Sequence, residues 1–509
     1  MFKLSNYSWL VSLFLMPFMI CCSKLSVETN TAEVINPVLS FRPNILWLVA
    51  EDLSPIIPAF GDSTIVTPNL DLLAKEGVCY DQFYSPAPVC APARSAIITG
   101  MYPTRIGSNH MRTGPWYGGR ASDETIKAYS IAMPKGVTAY EVVPPPVVKM
   151  FPEYLRKVGY FTSNNAKEDY QFVKNDFAWT ENGKKAHWRN RKPGQPFFSV
   201  FNYNVTHESK VWNKSNDPLW VSEDLKVPIP PYLPATDIAK KDIRRVYSNI
   251  LEMDAMIGNV LDQLKEDGLM DSTIIMWYSD HGGPLPRQKR MLYNSGIKVP
   301  LIIRFPKGNP AGLRDRRLIS CIDLAPTILS LGGIQPPNHM DGKAFLGRYN
   351  RDDEPIYIHA AADRFDEKYD RVRAITDGRY KYIRNYRPDL PSMLKVHYRD
   401  QMPIMQELHR LKSMGSLSID QSLWFREKKP QEELYDTYND PHEVNNLVED
   451  RSYKLILSKL REAHKVFQSS FPDKNMMDER ALFENFWPNM VQNKTALSKY
   501  QRKFYFHSL

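Results

Sequence analysis

"PNILWLVAED", Pro43–Asp52, is an unbroken apolar run that ends in two acids. A strand covered on both faces reads this way, because neither face is left for polar residues. The acids then mark its C-terminal end. Two later runs repeat the pattern. "QPFFSVFNYNVTHES" (Gln195–Ser209) ends in His207 and Glu208, and "STIIMWYSDHGG" (Ser272–Gly283) ends in Asp280, His281 and two glycines. Helical stretches alternate with these runs. "TPNLDLLAKEG" (Thr67–Gly77) puts Leu70, Leu73 and Ala74 at helical spacing and stops at a glycine. "FPEYLRKVGYFTSNNAK" (Phe151–Lys167) reads as a helix and then a strand, and "DIRRVYSNILEMDAMIGNVLDQLKEDG" (Asp242–Gly268) as a long amphipathic helix. "VPLIIRFP" adds a strand, and "RLISCIDLAPTILSLGG" a strand and a helix. Strands alternating with helices predict an α/β fold with a mostly parallel sheet. Its functional groups should gather at the carboxyl edge of the strands. Glu51 and Asp52, His207 and Glu208, and Asp280 and His281 all stand at such ends. A lone acid there often only caps a helix; three ends in one sheet favour a convergent site.

The texture changes near residue 345. "RVRAITDGRYKYIRNYR" (Arg371–Arg387) reads as a hairpin around Asp377-Gly378. "EELYDTYNDPHEVNNLVED" (Glu432–Asp450) is turn-rich, and "SYKLILSKLREAHKVFQS" reads as an amphipathic helix. The expected organisation is a larger domain over 41–348, which carries the convergent strand ends, and a smaller α+β subdomain over 349–509, with a small antiparallel sheet and helices.

The N-terminus points to export. "LVSLFLMPFMI" (Leu10–Ile20) is apolar but too short for the roughly 20 residues that span a bilayer. It fits the core of a signal peptide. "CCSK" follows, as at a lipoprotein cleavage site, with Cys22 as the acylated residue. Residues 1–22 are thus read as a lipoprotein-type signal and 23–40 as a polar tether. A plain secretory signal is the alternative. The expected location is periplasmic or at the cell surface.

The 509 residues are 43% hydrophobic and 24% charged, as for a globular protein, with a net charge of +9. The basic excess suits anionic partners, but it gathers in no Lys/Arg run, which argues against nucleic acid. After processing, only Cys79, Cys90 and Cys321 remain, too few for a disulfide framework. Cys79 and Cys321 lie in apolar runs and read as buried thiols.

Cys90 is different. It opens "CAPARSAIITG", Cys90–Gly100. This stretch resembles the signature of the type I sulfatases of the alkaline phosphatase superfamily: Cys-x-Pro-Ser/Ala-Arg, two residues, an apolar pair and Thr-Gly. Cys90, Pro92, Ala93, Arg94, Ile97, Ile98, Thr99 and Gly100 match. The resemblance extends in order through "PNILWLVAED", "SDHG", "LYNSGIKVPLIIR", "DLAPTILSLGG" and "ELYDTYNDPHEVNNL", over nearly all of residues 42–450. It implies an alkaline-phosphatase-like fold: a large mixed, mostly parallel sheet sandwiched by helices, with the smaller C-terminal subdomain.

The resemblance also implies a mechanism. A separate formylglycine-generating enzyme or anaerobic maturase would oxidise Cys90 to formylglycine. A hydrated aldehyde has one hydroxyl to attack sulfur and another to expel sulfate, which a thiol lacks. A divalent metal, calcium or alternatively magnesium, would be held by Glu51, Asp52, Asp280, His281 and residue 90. The family usually has Asp where Glu51 stands, so Glu51 either binds the ion or stands behind the ligands. Arg94 would orient the diol. Lys167 and Lys289 would bind the sulfate, with Arg290 as an alternative to Lys289. His207 would protonate the leaving group. Asp169 stands where the family usually has histidine, and either accepts a proton or is structural. The substrate implied is a sulfated carbohydrate. "VAEDLSP", "NNAKEDY" and "THES" lie closest to the branch with N-sulfoglucosamine sulfohydrolase. The loop "HMRTGPWYGGRASDETIKAYSIAMPKG" (His110–Gly136) carries aromatic and basic residues that suit a sugar subsite. Two alternatives remain: a phosphate or phosphonate monoester hydrolase of the same superfamily, and a non-catalytic glycan-binding lipoprotein.

Overall fold

The structure, a computed structural model, describes residues 36–37, 41–111, 142–366 and 368–481. The segment Leu10–Ile20, Cys22, nearly all of the tether and the loop His110–Gly136 from residue 112 onward lie outside the described residues. Among the described residues, no helix is long and apolar enough to cross a membrane.

The run Asn44–Ala50 is a strand with all seven residues buried. Its alternate residues enter two separate cores. Ile45, Trp47 and Val49 point into one, where Trp47 packs on the rings of Phe151, Phe198 and Tyr278 at 5.0–5.4 Å. Leu46, Leu48 and Ala50 point into the other, against Ile250, Met253 and Ile257. Helices therefore cover both faces of the sheet, which is why the run shows no polar alternation. Fully burying a leucine or isoleucine contributes about 1.5–3 kcal/mol, so this strand anchors both layers.

The large sheet has eight strands. In spatial order they are Glu181–Asn182, Phe161–Asn165, Phe197–Tyr203, Asn44–Ala50, Thr273–Ser279, Leu301–Arg304, Val78–Tyr80 and Leu313–Asp315. Only Leu301–Arg304 runs antiparallel to its neighbours, and the other pairings are parallel. Ala50 lies level with Tyr203 on one side and Ser279 on the other. The three runs with polar ends thus finish at one edge, side by side.

The long helix spans Asp237–Glu266, five residues earlier than the apolar spacing suggests. Thr236 sets the start, its hydroxyl accepting the Ala239 N–H at 3.4 Å. The expected hairpin pairs Val372–Thr376 with Tyr380–Asn385 around Gly378, whose φ of 95° favours glycine. It belongs to a four-stranded antiparallel sheet with Ile358–Ala362 and Glu432–Asp436. The last strand lies in the stretch read above as turns.

Helix Lys454–Ser470 covers one face of this sheet through Leu457 and Leu460, which pack with Ile375, Tyr382 and Leu434. Ile358, Ala360, Ala374, Ile383 and Tyr435 share a separate core with Val89, Cys90, Ala91, Leu292 and Ile297. The smaller sheet therefore backs the segment that carries Cys90. Cys79 and Cys321 are buried free thiols.

Candidate active site

Cys90 is the first residue of helix Cys90–Thr99, after Val89 in extended conformation. It is fully buried at the positive end of the helix. Its sulfur lies 3.2 Å from His281 Nε2 and 3.7 Å from Asp52 Oδ1. His281 Nε2 is 3.1 Å from Asp52 Oδ1 and 3.8 Å from Asp280 Oδ1. His281 Nδ1 lies 3.0 Å from the Gly282 carbonyl, to which it can only donate. In the neutral ring, Nε2 is then a lone pair facing two carboxylates and the sulfur. Such a cluster of acceptors needs a cation among them: a proton on His281 or a metal ion. Two carboxylates and an imidazole fit a divalent ion. Gly282 is required here, because a Cβ would overlap the Ser295 carbonyl.

Arg94 lies one turn along the helix. Its guanidinium donates to Asp280 Oδ2 at 2.8 Å, Asn202 Oδ1 at 2.8 Å and Glu51 Oε1 at 3.3 Å. Lys167 Nζ is 2.5 Å from the same Glu51 oxygen and 3.3 Å from Asp169 Oδ2. Glu51 Oε1 is thus occupied by two cations. Lys289 is buried, with Nζ 2.7 Å from Asp52 Oδ2, 3.1 Å from Glu208 Oε1 and 3.4 Å from His207 Nε2. Arg290 turns the other way. It grips Glu208 with two bonds of 2.8 and 2.9 Å and Asp366 with one of 2.8 Å. Of these adjacent cations, the lysine meets His207 and Asp52.

The Ser209 backbone N–H donates to His207 Nδ1 at 3.3 Å. Nδ1 also lies 2.9 Å from Ser209 Oγ, and Nε2 faces Lys289 Nζ at 3.4 Å. An oxygen seated beside this pair would be within hydrogen-bond reach of both nitrogens. The candidate ligands and catalytic residues singled out from the sequence, with Arg290 among them, all lie in this one network.

Comparisons with known proteins agree with this geometry. The profile of the family described as Sulfatase matches residues 43–334. That described as N-sulphoglucosamine sulphohydrolase, C-terminal, matches 287–411. An ulvan-active sulfatase of Formosa agariphila is 45% identical over 92% of this chain and 83% of its own. The chain belongs to the sulfatase family. The human N-sulphoglucosamine sulphohydrolase is 23% identical over 83% of this sulfatase and 89% of its own chain. A solved structure in complex with its substrate D-glucosamine-2-N,6-O-disulfate superposes with a TM-score of 0.59 at 17% identity. It covers 86% of this chain and 99% of that one, and shows that the alkaline-phosphatase-like fold is shared.

The electrostatics of the sulfatase site follow from its burial. Burial opposes ionisation of Asp52, yet Lys289, His207 and His281 hold its carboxyl well below the usual range. Asp280 is also lowered against burial, by His281 and Arg94. His281 is pushed up to about 10 despite burial, by Asp280, Cys90 and Asp52. His207 goes the other way, down to about 3, through burial and then Lys289. Asp52, Asp169 and Arg290 hold positive φ of 50°, 53° and 73°. Left-handed backbone at non-glycine residues costs of order 1–3 kcal/mol each and persists where its surroundings dictate it.

Two site residues carry no motif signal of their own. Asn202 bridges Arg94 to the neighbouring strand, donating to Asn164 Oδ1 and the Asn165 carbonyl, both at 3.0 Å. Its only trace in the sequence is a polar residue inside an apolar strand. Asp366 is distant in sequence and reaches the site through Arg290. Glu208 stood next to His207 in the sequence, but its place between Lys289 and Arg290 appears only in the structure.

Proposed function

We propose that this sulfatase hydrolyses sulfate esters or sulfamates of glycans, with Cys90 converted to formylglycine beside a divalent cation, calcium or magnesium. The single observation that carries the reading is the position of Cys90. Its sulfur sits where Asp52 and His281 converge, in a network that also holds four cationic side chains: Arg94, Lys167, Lys289 and Arg290.

Asp52, Asp280 and His281 would hold the ion together with residue 90, and the ion would add positive charge where the sulfate oxygens bind. Glu51 anchors Arg94 and Lys167 next to that set. As a hydrated aldehyde, residue 90 would supply a nucleophilic hydroxyl and a second one for release. Arg94 keeps Asp280 and Glu51 in register. Lys167 and Lys289 bind the sulfate, in a buried site where fixed charge counts most. His207 gives a proton from Nε2 to the leaving oxygen or nitrogen. Asp169, fixed beside Lys167, accepts a proton during release.

The relatives' names support a glycan substrate. The ulvan-active enzyme, at 45% identity, favours an ulvan-type substrate over the sulfamate suggested by the C-terminal profile. Oxidation of Cys90 calls for a formylglycine-generating enzyme or anaerobic maturase as a partner. The N-terminal apolar segment and Cys22 support export and lipid attachment.

The test uses protein made in a host that carries the maturase. The Cys90 peptide should have the mass of the aldehyde, and aryl sulfate should turn over faster than aryl phosphate. The reverse preference would favour a phosphate or phosphonate hydrolase. An unchanged thiol with no turnover would favour a binding protein.

A further inference from the structure

A cavity lies between the active-site segment and the small antiparallel sheet, lined by Arg290, Lys368, Asp370, Arg399, Lys429 and Glu433 among others. Most of its charges are matched. Arg290 pairs with Glu208 and Asp366, and Lys429 with Asp370. Glu433 accepts from Asn385 and from the hydroxyls of Tyr293 and Tyr435.

Arg399 is the buried exception; Lys368, also without an ion pair among the described residues, is partly exposed. Arg399 is 4% exposed, and among the described residues it makes no ion pair. It donates to the Leu394 carbonyl and stacks 4.8 Å from the Trp424 ring, while its Nε has no partner. A buried guanidinium without an anion is costly unless a ligand supplies one. Burial, and then Arg290, pulls its pKa down to about 10, against the more distant carboxylates of Asp400, Glu208 and Asp366, none of which it pairs with.

The cavity adjoins the leaving-group side of the site. The ring of Tyr398, next in sequence to Arg399, lies 6.3 Å from that of His207 and 5.2 Å from that of Trp212. Arg290, in the cavity wall, grips Glu208, which also meets Lys289 at 3.1 Å. A sugar whose sulfate faces Cys90 and whose leaving oxygen faces His207 therefore extends toward Tyr398 and Arg399. We propose that this cavity is the subsite for a second anionic group, a carboxylate or a further sulfate, on the sulfated sugar or its neighbour, with Arg399 as the residue that selects it. The proposal rests on the sulfatase reading above and adds the substrate class: sugars with at least two anionic groups.

The experiment measures inhibition of 4-nitrophenyl sulfate hydrolysis by two matched pairs of probes. One pair is D-glucosamine 6-sulfate and its 2-N,6-O-disulfate. The other is a sulfated uronic-acid disaccharide and its carboxyl-reduced form. The enzyme should prefer the more highly charged member of at least one pair by about ten-fold or more, the scale of one charge-assisted hydrogen bond. The pair that shows the preference tells sulfate from carboxylate. R399M should collapse that preference to within about two-fold, and R399K should keep part of it. The melting temperature of each variant checks its fold, and R399K carries the comparison should R399M not fold. No preference in either pair, or a preference that survives in a folded R399M, overturns the proposal. Absence of aryl sulfate turnover would count against the proposed chemistry instead. Calorimetric titration of the same pairs into the same protein then decides the subsite, by the same criterion.

Discussion

His207 is the sharpest point at which to test the chemistry. In the substrate-free site it is neutral, with its pKa lowered to about 3 by burial and by Lys289. A neutral imidazole is a poor proton donor, so the substrate must change it. A sulfate ester would bring a negative charge beside His207 Nε2 and Lys289 Nζ, which are in contact at 3.4 Å. At about 4 Å and an effective dielectric of about 20, one charge is worth about 4 kcal/mol. At 1.36 kcal/mol per pKa unit, this lifts the imidazole by roughly three, into the weakly acidic range. On the proposed chemistry, substrate would create the acid that its own leaving group needs. The protonated form does the work, so kcat should fall as pH rises through that range. His207→Gln keeps a hydrogen-bonding group but cannot deliver a proton. General acid catalysis contributes about 10²–10⁴-fold. The variant should lose that much kcat on a sugar or alkyl sulfate. It should lose far less on 4-nitrophenyl sulfate, whose leaving group needs little protonation, and the alkaline limb should vanish. The assay is kcat against pH for both substrates in both proteins. Equal losses on both substrates, with the pH profile unmoved, would refute the reasoning.

Three other outcomes are expected. Exhaustive chelation should abolish turnover, restored by calcium or magnesium, and should lower the melting temperature; an ion present at 100 times its Kd stabilises by about 2.7 kcal/mol, and activity and melting unmoved by chelation would exclude the ion. Asn202→Ala leaves Arg94 without one charged hydrogen bond of 2.8 Å; at about 1.5–3 kcal/mol, kcat/KM should fall at least ten-fold, and an unaltered value would show that Asn202 does not position Arg94. Cys22→Ala should stop incorporation of labelled palmitate and move the protein from the membrane to the soluble fraction, whereas continued membrane association would favour another anchor.

The sequence was most legible where burial is total. Asn44–Ala50, Phe197–Tyr203 and Thr273–Ser279 face helices on both sides, so their apolar runs stand out and their polar ends mark the site edge. The hairpin at Asp377-Gly378 was legible because a positive φ selects glycine. Glu432–Asp436 was not, since its two leading acids are satisfied by partners distant in sequence, Glu432 by Arg461 and Glu433 by the Tyr293 hydroxyl. The same limit applies within the site. The contacts of Glu51 Oε1 were hidden, because Lys167 and Arg94 arrive from elsewhere in the chain. The choice between Lys289 and Arg290 was equally hidden, because it depends on the left-handed backbone at Arg290 and on Asp366.

The core shared by Cys90 and the antiparallel sheet sets a timetable for the cell. Cys90 is 0% exposed, and its wall is finished by Glu432–Asp436, more than three hundred residues later in the chain. On the proposed chemistry, the oxidising enzyme would meet the cysteine before that strand docks. At a synthesis rate of roughly 5–20 residues per second, the interval is of the order of tens of seconds. A faster-folding variant would shorten this window and leave more chains with an unconverted thiol, sealed in a native-looking but inert protein.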